Sequence, residues 1–104
     1  MGVLKSMIRI FSQLRRKVLT LATIKDIPTD EFNELTRQLL ESGWEKTSEY
    51  EGPDAWIDYG RIKLRKDGAR LSLEWDNWTE GRLEGPRSII ESIAQGAGYP
   101  VSYD

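Results

Sequence analysis

An Asp-Gly pair at 67–68 separates two alternating runs, YGRIKL before it and RLSLEW after it, and no other feature limits the possible folds as tightly. A type I′ turn needs positive φ at both central residues, so Asp-Gly between alternating runs predicts a two-residue hairpin. Closing Lys66 on Ala69 sets Leu64 opposite Leu71, Ile62 opposite Leu73 and Gly60 opposite Trp75 on one face. Side chains alternate along a strand, which leaves Tyr59 against Asp76, Arg61 against Glu74 and Lys63 against Ser72 on the other. A one-residue slip would put Arg61 and Lys63 where Ile62 and Leu64 belong and bury cations without partners, so a single register is expected. Gly60 is expected to make room for the Trp75 indole.

Around the hairpin the sequence predicts a third strand over 44–50, with Trp44 and Tyr50 on the core face and a loop at 51–54. Pairing Tyr50 with Trp56 and Trp44 with Ile62 brings Glu45 opposite Arg61, which would then sit between Glu45 and Glu74 in an exposed ion ladder. Ile27-Pro28 breaks the chain before a helix over 30–42. Thr29 is placed to cap it, Asp30 and Glu31 suit its positive end, Phe32, Leu35, Leu39 and Leu40 form its buried side, and Gly43 suits the left-handed position after it. The stretch 76–85 reads as a loop. Pro86 then opens a helix over about 86–96, with Ile89, Ile90, Ile93 and Ala94 inward and Gly96 or Gly98 at its end. Tyr99 to Tyr103 form a tail that adds an edge strand or lies against the body.

These elements give an α+β domain: a three-stranded antiparallel sheet at about 44–50, 55–65 and 69–77, with helices 30–42 and 86–96 on one face. Helix, three strands, helix resembles the element order of double-stranded-RNA-binding domains and of HicA-type toxin ribonucleases. The resemblance stops at order. The RNA-binding family implies a lysine cluster opening its last helix, where this chain has Gly85-Pro86-Arg87-Ser88, and the toxin family implies a histidine, which this chain lacks.

Residues 1–25 read as a separate basic segment. Lys5, Arg9, Arg15, Arg16, Lys17 and Lys25 occur there without an acid, against a net charge of −2 for the whole chain, so 26–104 form an acidic domain. Val3, Leu4, Met7, Ile8, Phe11, Leu14, Val18, Leu21 and Ala22 recur at helical spacing, predicting an amphipathic helix over 3–23, with a short strand over 18–24 as the alternative. Such a helix can pack on the domain or a second copy, lie on a membrane surface, or act as a targeting segment; Gly2 and Ser6 also match the N-myristoylation pattern. No apolar run approaches the ~20 residues of a membrane span.

The residue types narrow the chemistry. With no cysteine and no histidine in 104 residues, there is no thiolate site and no imidazole base or ligand, and most catalytic triads and zinc sites are excluded. Residues 76–87 have an Asp-x-x-x-Glu-Gly spacing but lack the third oxygen ligand before the glycine and the terminal glutamate of a calcium loop, which here is Arg87. An enzyme would need carboxylates, and Asp58, Asp76 and Glu80 beside Tyr59 are the only grouping, with Asp58 expected on the apolar face. No cofactor is expected, and the default setting is cytoplasmic. The expected function is a non-enzymatic protein-binding or self-associating module contacting its partner through Ile57, Tyr59, Arg61 and Trp78. The alternative is nucleic-acid binding through the basic arm and the Arg61, Lys63, Arg65 strand face, with Arg70 opposite Arg65 and Tyr59 as a stacking surface.

Overall fold

The structure, a computed structural model, describes residues 21–103. They form β1 (Leu21–Ile27), α1 (Thr29–Glu41), β2 (Glu45–Glu49), β3 (Tyr59–Lys66), β4 (Ala69–Asp76), β5 (Glu80–Pro86) and α2 (Arg87–Ala97). The strands make one antiparallel sheet in the order β1-β5-β4-β3-β2. The architecture is α+β as expected, but the sheet has five strands rather than three. The expected helix over 3–23 lies outside the described residues except for its last three, and these belong to β1.

The central hairpin has the register read from Asp67-Gly68, from Lys66 opposite Ala69 to Tyr59 opposite Asp76. Both turn residues have positive φ, 50° and 80°, as a type I′ turn requires. α1 also ends as predicted. Gly43 at φ 99° lets the Gly43 N–H reach the Leu40 carbonyl and the Trp44 N–H reach that of Leu39, a Schellman closure with buried Leu39 and Trp44 beside it. Gly98, at φ 78°, ends α2.

β5 replaces the loop expected over 76–85. Its inward positions are Gly81, Leu83 and Gly85, and the two glycines are sites of close approach. A Cβ on Gly81 would come within 2.5–2.8 Å of Phe32 on α1, and one on Gly85 within 2.4 Å of Leu71. What reads as turn composition is therefore a strand thinned to admit its neighbours. β1 pairs with β5, and Ala22, Thr23 and Ile24 are buried in succession, so it has no period-two pattern. Its other edge is covered at Thr23, which exchanges two 2.8 Å backbone hydrogen bonds with Ser102 of the tail.

β2 departs from the expected register. Glu45 lies opposite Arg65, four residues beyond the expected Arg61, because β3 starts at Tyr59 rather than at 55 and residues 50–58 form the connection, so Tyr50 does not pair with Trp56. A bulge between Lys46 and Ser48 then sets Glu49 opposite Ile62. The extra residue changes the strand's phase, so Trp44 is in the core while Tyr50 meets Tyr59 edge-on at 4.9 Å. The expected ladder is redistributed: Glu45 pairs with Arg65 at 3.3 Å, and Glu74 accepts the Tyr59 hydroxyl at 2.9 Å. Ile24, Phe32, Leu39, Leu64, Leu71, Leu73, Leu83 and Ile90 join one core cluster to which both helices contribute. Arg61, Lys63, Arg65, Arg70 and Arg82 alternate with these inward residues and are exposed on the opposite face of the sheet.

Candidate functional site

Three segments meet at one end of the sheet: the start of α1, the loop 50–58, and the turn 76–80. Each is locked by its own polar groups. In the turn, Asp76 Oδ1 accepts the backbone N–H groups of Trp78 (2.8 Å) and Thr79 (2.7 Å), while Oδ2 accepts the Thr79 hydroxyl (2.6 Å). The Thr79 hydroxyl, then these two N–H groups, hold the Asp76 carboxyl below the usual range. In the loop, the Asp54 carbonyl accepts the N–H groups of Ile57 (2.9 Å) and Asp58 (3.1 Å), and Asp54 Oδ1 accepts the Tyr50 hydroxyl at 2.6 Å.

Asn77 ties the turn to the loop. Its Nδ2 donates to the Ile57 carbonyl and to Asp58 Oδ1, both at 2.7 Å, and its backbone N–H donates to the Asp58 carbonyl at 3.2 Å. Two ordered loops therefore present Ile57 at 65% and Trp78 at 79% exposure. Large apolar groups exposed on hydrogen-bonded backbone are placed to contact a partner without first being ordered, which lowers the entropic cost of binding.

Trp56 borders the same end. It has φ 60°, a left-handed conformation rare for a bulky residue and typical of places where surrounding contacts hold strain. Its N–H donates to the Tyr59 carbonyl at 2.8 Å, and its indole donates to Glu49 at 2.7 Å. The ring lies over Gly60, where a Cβ would approach three of its atoms within 2.1–2.5 Å. Gly60 thus accommodates Trp56, not the Trp75 indole as expected. Thr29 does not cap α1. Its hydroxyl accepts the Trp75 indole N–H at 2.9 Å and donates to Glu80 at 3.2 Å. Thr29, Asn33, Trp56 and Trp75 line an open cleft of about 160 Å³.

The four sequence-predicted site residues fall into two places. Ile57 and Trp78 lie on the paired loops, whereas Tyr59 and Arg61 are on β3 facing away from the core. Burial, then the bond to Glu74, raises the half-buried Tyr59 phenol above its usual range. Arg61 is exposed and forms no ion pair among the described residues. The Trp56–Trp75 cleft was not expected; its signal was two glycines, Gly60 and Gly81, facing Trp75 on both neighbouring strands. The carboxylate grouping is taken up by structure: Asp76 and Glu80 accept the bonds given above, and Asp58 is exposed rather than on the apolar face. Among the described residues no cluster of three or more His, Cys, Asp or Glu could hold a metal ion.

Charge distinguishes this end. Residues 28–33 contribute Asp30 and Glu31, residues 50–58 contribute Glu51, Asp54 and Asp58, and residues 76–80 contribute Asp76 and Glu80, with no lysine or arginine in any of the three. No helix among the described residues is long and apolar enough to cross a membrane. Comparison with protein-family models, curated proteins and solved structures gives no match to the chain.

Proposed function

We propose that this chain is a non-enzymatic protein-binding module that engages its partner through the aromatic end of the sheet, with Trp78, Ile57 and Trp56 as the contact residues. The observation that carries this reading is the 79% exposure of Trp78 on a turn fixed by Asp76 and stitched to the Ile57 loop by Asn77. Tryptophan is the residue type most enriched where binding energy concentrates. The surrounding acids select a basic partner surface.

The test is selection of binding peptides from a random library against the chain, followed by affinity measurement on Trp78→Ala. Loss of a central tryptophan anchor costs about 2 kcal/mol or more, roughly thirtyfold in Kd. The domain itself stays folded, because Trp78 buries little. Selected peptides that bind Trp78→Ala as tightly as the parent chain overturn the proposal, as does a selection that yields no binder. Concentration-dependent sedimentation that Trp78→Ala abolishes would identify the partner as a second copy.

One observation favours nucleic-acid binding as a second reading: Arg61, Lys63 and Arg70 are exposed on the outward face of the hairpin that also carries Tyr59, and they carry no ion pair among the described residues. Phosphate contacts release counterions, so oligonucleotide binding by this face would weaken steeply with salt. A signal that is absent, or insensitive to salt, removes this reading.

A further inference from the structure

We infer that the cleft between Trp56 and Trp75 is the anchor site for a cationic side chain, an arginine guanidinium above all, of the partner that docks on this end; the inference rests on the docking reading above. The volume sets the scale. At about 160 Å³ the cleft falls short of the roughly 300–1,000 Å³ of pockets that take whole ligands and is suited to one side chain.

The lining sets the chemistry. Two of its four residues are tryptophans, the best aromatic partners of a cation. Two of the lining groups are also backed by a carboxylate: the Trp56 indole donates to Glu49 at 2.7 Å, and the Thr29 hydroxyl donates to Glu80 at 3.2 Å. Lys46 at 2.7 Å, then the Trp56 indole N–H, hold the Glu49 carboxyl below its usual range, so it is charged at neutral pH. Asn33 is exposed and makes no side-chain hydrogen bond among the described residues, which leaves its carbonyl oxygen to accept from a guanidinium N–H.

One feature opposes a cation: α1 begins at the cleft, and the start of a helix carries partial positive charge. That charge is already answered. Asp30 and Glu31 lie in the first turn, and Glu80 accepts the Thr29 backbone N–H at 3.4 Å. An anionic occupant would meet these carboxylates. The surrounding segments contain seven acids and no base, which brings cations to the site before contact.

The experiment follows the four tryptophan indole N–H signals of the full chain by NMR during titration with N-acetyl-arginine amide and, separately, with N-acetyl-citrulline amide, its uncharged isostere. Arginine amide is expected to move the Trp56 and Trp75 signals to saturation, with citrulline amide weaker by about fivefold or more. Asn33→Trp, a change at an exposed helix position that fills the cleft, abolishes the response, and Trp78→Ala preserves it. Equal responses to the two amides, movement confined to Trp44 or Trp78, or no movement at all overturns the inference. Trp78→Ala separates this result from the docking test: peptides that depend on Trp78 with an unresponsive cleft leave docking intact and remove the anchor, whereas a responsive cleft in a chain that selects no peptide does the reverse.

Discussion

Gly81→Ala tests whether β5 owes its place in the sheet to close approach. A Cβ there would lie 2.5 Å from Phe32 Cδ1 and 2.8 Å from its Cβ and Cγ, whereas carbon atoms pack at about 3.5–4.0 Å. Turning the ring relieves the first contact. It does nothing for the one to Cβ, whose position is fixed by the α1 backbone, so helix and sheet must separate by roughly 0.7 Å or more to restore that spacing. Phe32 is 1% exposed and belongs to the core cluster, so the separation propagates. Overpacking of this kind costs about 1–3 kcal/mol, from which the restricted unfolded chain returns about 0.4–1. The net loss of about 1–2 kcal/mol corresponds to a fall in Tm of roughly 5–15 °C for a domain of this size. Thermal and urea denaturation followed by circular dichroism measure it. Gly96→Ala is the control of opposite sign, since a Cβ there meets nothing within 4 Å and a helical glycine costs about 1 kcal/mol against alanine. A Gly81→Ala chain as stable as the parent refutes the packing argument.

Thr29→Val removes the acceptor of the Trp75 indole and leaves Glu80 only the backbone N–H of residue 29, at an expected cost of about 1–2 kcal/mol in urea denaturation; an unchanged midpoint would show that the link carries no weight. For Asp76 the folded pKa is depressed, so its contribution is present above the unfolded value near 4 and is lost as pH falls through the folded one. Protection of the Trp78 and Thr79 amides relative to an unstructured peptide at the same pH should therefore fall in acid, and a carboxyl titrating at or above the ordinary value contradicts this. Tyr99 behaves oppositely. Its hydroxyl donates to Glu31 at 2.6 Å, and that bond, then burial, pushes its pKa up to about 12. Its contribution is complete below the unfolded value near 10 and is lost as pH rises through about 12. Absorbance at 295 nm should show this late phenol, and Glu31→Gln should bring it back toward 10.

The central hairpin and both helices were legible because each is specified locally: Asp67-Gly68 by φ, α1 by the Gly43 closure, α2 by the helical spacing of Ile89, Ile90 and Ile93. Of the two extra strands, β1 was legible only as the short-strand alternative over 18–24 and β5 not at all, for different reasons. β1 is buried on both faces at Ala22 to Ile24, and a strand covered on both sides loses its alternation and cannot be told from the end of an apolar helix by periodicity. β5 keeps its alternation, but two of its three inward residues are glycine because Phe32 and Leu71 occupy their side-chain space. Composition alone then reads as a loop. The bulge in β2 leaves no composition signal, and that one extra residue moved Tyr50 to the opposite face, while the longer connection over 50–58 changed the partner of Glu45.

The site divides in the same way. Ile57 and Trp78 were accessible to sequence reasoning because an exposed apolar residue shows as an apolar residue out of phase. The cleft was not, because it depends on the left-handed backbone at Trp56 and on Thr29 reaching Trp75 and Glu80 across 46 and 51 residues. Both features have a local trace, however. A tryptophan whose two cross-strand neighbours are Gly60 and Gly81 cannot fill the space above them alone, so aromatic groups from elsewhere must complete the layer. Trp56 arrives over Gly60 and Phe32 over Gly81. Glycines flanking a strand tryptophan are in that case the mark of an aromatic layer assembled from distant segments, and an incompletely filled layer at the rim of a sheet is a cleft.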